Sequence, residues 1–214
     1  MTETAKKTAI IVATGNVGKT IVLATRNPGK TAEMRDLLIG LDIDLLTAED
    51  VDVPLPEVIE DALTLEGNAR KKAEAVLGAT GLPALADDTG LEVHSLDGRP
   101  GVHSARFAGS DCDPARNRRK LLEQLADAAD RTARFRTVIV LAHPGGIEFF
   151  DGVCEGAITD CERGHGGFGY DAIFVPDGDT RTFAEMTPEE KNRISHRGRA
   201  LQKLRLYLET GGPE

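Results

Sequence analysis

The chain has 214 residues, 40% of them hydrophobic and 29% charged, which is the balance of a soluble globular protein with enough mass for one packed core. A formal charge of −9 repels DNA and RNA backbones and excludes bulk nucleic-acid binding, though not a local basic pocket for one small anion. No apolar run reaches the roughly 18 residues of a membrane helix or opens as a signal peptide, and the cysteines lack CxxC spacing, which together predict a cytoplasmic chain with no membrane partner.

Residues 1–20 read as an N-terminal extension, 21–210 as one α/β domain and 211–214 as a tail. Ile11–Lys19 (IVATGNVGK) is echoed by Val22–Lys30 (VLATRNPGK). Only the second copy leads into a helical pattern, with Met34, Leu37, Leu38 and Leu41 at i, i+3, i+4 and i+7. The first core strand is therefore placed at Ile21–Thr25. Further on, Leu41–Leu46 reads as a strand and Glu66–Gly78 as a helix. Leu85–Val93 reads as a strand with a turn at Gly90. Pro114–Ala129 is a helix opened by proline. Phe135–Ala142 and Ile147–Ile158 form an antiparallel pair, and Ala172–Val175 is a short strand. Pro188–Leu208 is one long closing helix capped by Thr187, with a local break at Gly198. Helices alternate with strands early and hairpins follow, so the fold is α/β with a mixed sheet.

Four clusters carry chemistry. In Thr25-Arg26-Asn27-Pro28-Gly29-Lys30 a strand-to-helix turn offers backbone N–H groups and three side-chain donors to a phosphate. The upstream copy, Thr14 to Lys19, nearly spells a P-loop, but Ala13 stands where the first glycine belongs and a strand follows where a helix is needed. It remains the alternative phosphate loop, and with it a nucleotide kinase or NTPase using Lys19. Asp87-Asp88-Thr89-Gly90 places two carboxylates at a strand end. With Glu57, Glu60 or Asp61 they suit Mg²⁺, which takes one or two carboxylates plus phosphate oxygens and water. Gly164–Asp171 has glycines dense enough for close backbone approach, and Phe168 in it can lie against a planar ring. Lys191, Ser195, His196 and Arg197 form a polar run that a solvated basic helix face would also explain.

These clusters, in this order, resemble the Ham1-like family of noncanonical purine nucleoside triphosphate pyrophosphatases. The resemblance spans Ile21 to about Leu208, through IVLATRNPGK, ADDTGLEV, LDGRPGVHSARFAG, GGFGYDAIFVP and FAEMTPEEKNRISHRGRAL. It implies an elongated mixed sheet, two lobes around a nucleotide cleft, and a homodimer. It also implies hydrolysis of ITP, dITP and XTP to monophosphate and pyrophosphate with one Mg²⁺ per subunit, clearing these nucleotides from the pool. By position, Thr25 to Lys30 match the phosphate grip, and Glu60 and Asp88 the metal-binding acids, with Asp88 also the general base. Thr89, the run Phe168, Gly169, Tyr170 and Asp171, and Lys191, Ser195, His196 and Arg197 match the substrate contacts. Gly67 departs from the pattern, standing where an acid commonly precedes Asn68. A nucleotide-binding module without turnover would share the loop and pocket but would need no base at Asp88.

Overall fold

The computed structural model describes residues 19–211. Among them seven strands form one sheet in the order β2-β1-β3-β5-β6-β7, with β4 pairing to β3. In chain order the elements are β1 (Thr20–Leu23), α1 (Pro28–Leu38), β2 (Asp44–Leu46), α2 (Leu65–Thr80), β3 (Ala84–Val93), β4 (Pro100–Gly101) and α3 (Pro114–Gln124), then β5 (Thr132–His143), β6 (Gly146–Ile158), β7 (Phe174–Pro176), α4 (Pro188–Ile194) and α5 (His196–Thr210). β1 runs parallel to β2 and β3, whereas β3, β5, β6 and β7 are antiparallel neighbours. The sheet is mixed, as the alternation of patterns requires.

Side-chain alternation sorts the core by face. Leu85, Ile139 and Leu141 point to one side, where Met34 and Leu38 of α1 and Leu201 and Leu204 of α5 cover them. Ala86, Val138 and Val140 point to the other, against Ala69 and Ala73 of α2. The small alanines let α2 lie close on the sheet. Farther along the strands a second core gathers Leu91, Phe135, Phe174 and Phe183. Two packed masses thus share the long strands β3, β5 and β6.

The sheet leaves a gap between them. β1 pairs with β3 only at Ala84 and Leu85, and β4 pairs only at Leu91 and Glu92. Residues 87–90 therefore have a strand neighbour on the β5 side alone. The turn expected at Gly90 does not form. β3 continues unbroken because β5 pairs with every residue from Ala84 to Val93. Asp87 and Asp88 accordingly lie in mid-strand, not at a strand end. Gly90 answers a different need: a Cβ there would come within 2.8 Å of the Gly101 carbonyl oxygen of β4.

The closing helix is two helices. Ser195 adopts an extended conformation (φ −70°, ψ 159°) and ends α4 while its hydroxyl accepts from Gly198 N to open α5. The break falls at Ser195, not at Gly198, because a serine cap satisfies the amides of a new helix. Gly198 serves close packing, since its Cβ would lie 1.9 Å from the Asn192 carbonyl oxygen. Other bounds shift by a few residues. α2 continues to Thr80 with a left-handed Gly81 cap, α3 stops at Gln124, and β1 ends at Leu23. Most of the upstream glycine-lysine copy lies outside the described residues. Lys19 pairs with Asp42 at the surface, away from the gap in the sheet.

Candidate active site

A cleft of about 650 Å³ opens at that gap, lined by Thr25 to Asn27, Lys30, Glu60, Lys72, Asp88, Thr89, Phe168 to Asp171, Lys191, His196 and Arg197 among others. The clusters separated in sequence thus share one hollow. Its first wall is the β1–α1 turn. Asn27 caps α1, and its side-chain Oδ1 accepts from Gly29 N at 2.9 Å and Lys30 N at 3.3 Å. The expected backbone cradle is therefore already occupied. What the turn offers a phosphate is side-chain donors, from Asn27, Thr25, exposed Arg26 and Lys30. Pro28 starts the helix without needing an amide partner.

Asp87 and Asp88 point to opposite faces of β3. Asp87 is fully buried and meets Lys30 Nζ at 3.0 Å and Arg197 Nη2 at 3.0 Å. Burial alone would raise its pKa, but the charges of Lys30, Arg197 and Lys72 outweigh that and hold the carboxyl well below the usual range. Asp88 faces α2, where Asn68 Nδ2 donates at 3.2 Å and Lys72 Nζ at 3.4 Å. Here burial wins over Lys72 and Lys30, and the pKa is raised. Burial also lowers that of Lys30. Thr89 returns to the α1–α5 side, where its hydroxyl pairs with Thr137 at 2.7 Å and accepts from Arg197 at 3.0 Å.

Glu60 lies across the cleft on the segment before α2. Its Oε1 is 3.3 Å from the same Lys72 ammonium that meets Asp88. Two carboxylates flanking one cation form a donor set that also fits Mg²⁺ when phosphate oxygens complete the shell. Among the described residues no group of three or more His, Cys, Asp or Glu is arranged to hold an ion alone. Gly67 explains its own departure from the family pattern: a Cβ would come within 2.7 Å of Ala62 Cβ, so this helix turn has no room for an acid.

The far wall is built around Phe168. Phe168 stands between Gly167 and Gly169, both left-handed (φ +67° and +61°), and its ring lies against Gly29, whose Cβ would be 2.7 Å away. Lys191 Nζ is 4.8 Å from the ring centroid. Asp171 is buried and accepts from Phe168 N at 2.8 Å and Lys191 Nζ at 2.6 Å. Burial raises its pKa, against the pull of Lys191. Arg197 is 1% exposed and donates to Glu33, Asp87 and Thr89. Asp171 and Arg197 are thus members of one internal charge network, joined through Lys191 and Glu33. His196 stacks on Phe135, with centroids 4.5 Å apart, and burial with the nearby Arg197 and Lys191 charges keeps it neutral. Tyr170 donates to the Ser104 carbonyl at 2.8 Å, and Gly169 offers its carbonyl to Arg118. Ser195 turns inward as the α5 cap.

Glu33 belongs to no motif in the sequence, yet it is part of this network. It joins Lys191 and Arg197 from α1, and their charges outweigh burial to lower its pKa. Its signal was its spacing: one turn after Lys30 and next to core residue Met34. The sequence pattern does not single out Arg106 either, although it sits in a stretch that carries the resemblance. Its guanidinium donates to the Glu60 carbonyl at 2.6 Å.

Comparison with known proteins converges. The Ham1 family model matches residues 21–207. The chain is 50% identical over 200 residues to the dITP/XTP pyrophosphatase of Deinococcus deserti, covering 93% of this chain and 94% of that one. It is 48% identical over 197 residues to the enzyme of that name from Geobacter sulfurreducens, covering 91% and 98%. Among solved structures, a HAM1 protein from Coxiella burnetii is 43% identical with a TM-score of 0.82, covering 89% of this chain and 98% of that chain.

Proposed function

The chain belongs to the Ham1 family, and on that premise we propose that it hydrolyses dITP, XTP and ITP to the monophosphate and pyrophosphate. The observation that carries this reading is a single cleft lined by Lys30, Lys72, Glu60, Asp88, Phe168 and Asp171, which come from segments far apart in sequence. Lys30 and Lys72 bind the triphosphate and offset the charge that grows on the leaving pyrophosphate. Asp88, on the cleft wall beside Lys72, orients a water and takes its proton as the water attacks the α-phosphorus. Glu60 and Asp88 would hold one Mg²⁺, which when bound supplies charge neutralisation on the phosphate oxygens.

Base choice follows hydrogen-bond polarity. Hypoxanthine and xanthine show an O6 acceptor and an N1–H donor, whereas adenine shows the reverse. A carboxylate accepting from N1–H and a cation donating to O6, from the Asp171, Lys191 and Arg197 network, leave adenine with unpaired groups. Two further elements of the proposal are a homodimer, whose contact could cover exposed apolar side chains such as Ile59 and Leu63, and a cytoplasmic setting; sedimentation velocity checks the first. No helix among the described residues is long and apolar enough to cross a membrane.

The test is product analysis with dITP, XTP and ATP, with and without Mg²⁺. Pyrophosphate from dITP and XTP, little from ATP, and a requirement for Mg²⁺ are expected. Orthophosphate release would favour the γ-phosphate chemistry of a P-loop enzyme, and binding without turnover a non-catalytic module.

A further inference from the structure

We propose that Asn68 is a positioning residue that locks the base Asp88 to the segment carrying Glu60, an inference that rests on the reading of Asp88 given above. Asn68 lies in the first turn of α2 and is completely buried, unusual for an amide unless both of its ends are satisfied. Both are. Its Oδ1 accepts from Ala62 N at 2.9 Å, two residues after Glu60, and its Nδ2 donates to Asp88 Oδ2 at 3.2 Å. The orientation is not interchangeable, because a backbone N–H can only donate and a carboxylate only accept.

Lys72, one turn along the same face of α2, repeats the bridge. It touches Glu60 Oε1 at 3.3 Å and the other Asp88 oxygen at 3.4 Å. Two rungs thus span the same two segments, one neutral and one charged. The neutral rung is the one that can fix direction, since an amide has a defined donor and acceptor whereas an ammonium donates anywhere within reach. Gly67 lets the Ala62 segment approach closely enough for the neutral rung to form. Without Asn68, Asp88 keeps its charge partner but loses the contact that aims Oδ2. Lys30, Lys72 and the far wall, on which substrate binding depends, all remain in place.

The experiment measures kcat and KM separately, with melting temperature, for Asn68→Ala, Asn68→Asp and the double exchange Asn68→Asp/Asp88→Asn. Asn68→Asp keeps the acceptor for Ala62 N but turns a second carboxylate toward Asp88. Both single variants should lose kcat by on the order of tenfold to a hundredfold with KM little changed. The double exchange restores a donor–acceptor pair, so its melting temperature should recover relative to Asn68→Asp while turnover stays lost. A single variant with kcat within about twofold of wild type, or KM changing in step with kcat, would overturn the proposal. So would a double exchange no more stable than Asn68→Asp. Failure of the underlying reading shows separately, as wild-type protein that releases no pyrophosphate or as normal turnover in the double exchange.

Discussion

The two faces of the central sheet treat consecutive aspartates in opposite ways. On the α1–α5 face, Asp87 is closed in by Lys30 and Arg197, its pKa pushed down. On the α2 face, Asp88 lines the cleft, keeps longer contacts to Asn68 and Lys72, and has its pKa pushed up. Residue type is the same and burial is similar; what differs is the density of opposing charge on each side. A pair of acids in a strand therefore need not share a role. One face closes its acid into an ion-pair network; the other presents its acid to the cleft.

The sharpest break of that contrast is Asp88→Asn, expected to lower turnover by about 10²–10⁴-fold with the fold retained, as steady-state pyrophosphate release and circular dichroism would show. Asp87→Asn should act on folding instead. It leaves largely buried Lys30 without its contacting carboxylate and Arg197 with Glu33 alone, a loss of about 3–5 kcal/mol readable in urea denaturation. Glu33→Gln, on the same face, should cost about 2 kcal/mol at neutral pH. Because its folded pKa is depressed, the stability Glu33 contributes is present above the unfolded value near 4.3 and is lost as pH falls through the lower folded value. The two proteins' urea midpoints should converge in acid, and a gap that persists there would remove Glu33 from the charge network. The smallest effect belongs to His196, which is buried neutral beside Phe135. Below about pH 6.5 the unfolded chain binds a proton that the folded chain refuses, so stability should fall by at most about 1.4 kcal/mol per pH unit. His196→Phe, which preserves the stack, should flatten that slope.

Local chemistry made much of this legible. The proline-opened helices, the Thr187 cap and the β-branched strands follow from rules acting within a few residues, and the spaced motifs named the cleft's members. What stayed hidden was set by neighbours distant in sequence. Gly90 reads as a turn until β4 is seen against it, and Gly198 as a helix break until the Asn192 carbonyl is seen beneath it. Glu33 reads as an ordinary surface acid until Lys191 and Arg197 arrive from helices more than 150 residues away. Strand alternation alone, applied to a β3 without a turn, would have separated Asp87 from Asp88.

On the proposed function, water activated on the α2 face, at Asp88, attacks the α-phosphorus of the bound triphosphate. Hydrolysis of XTP in ¹⁸O-enriched water, followed by mass spectrometry of both products, tests it directly. One heavy oxygen is expected in the monophosphate and none in the pyrophosphate, with labelled product from Asp88→Asn forming about 10²–10⁴-fold more slowly. Label in the pyrophosphate, or undiminished labelling by Asp88→Asn, would contradict it.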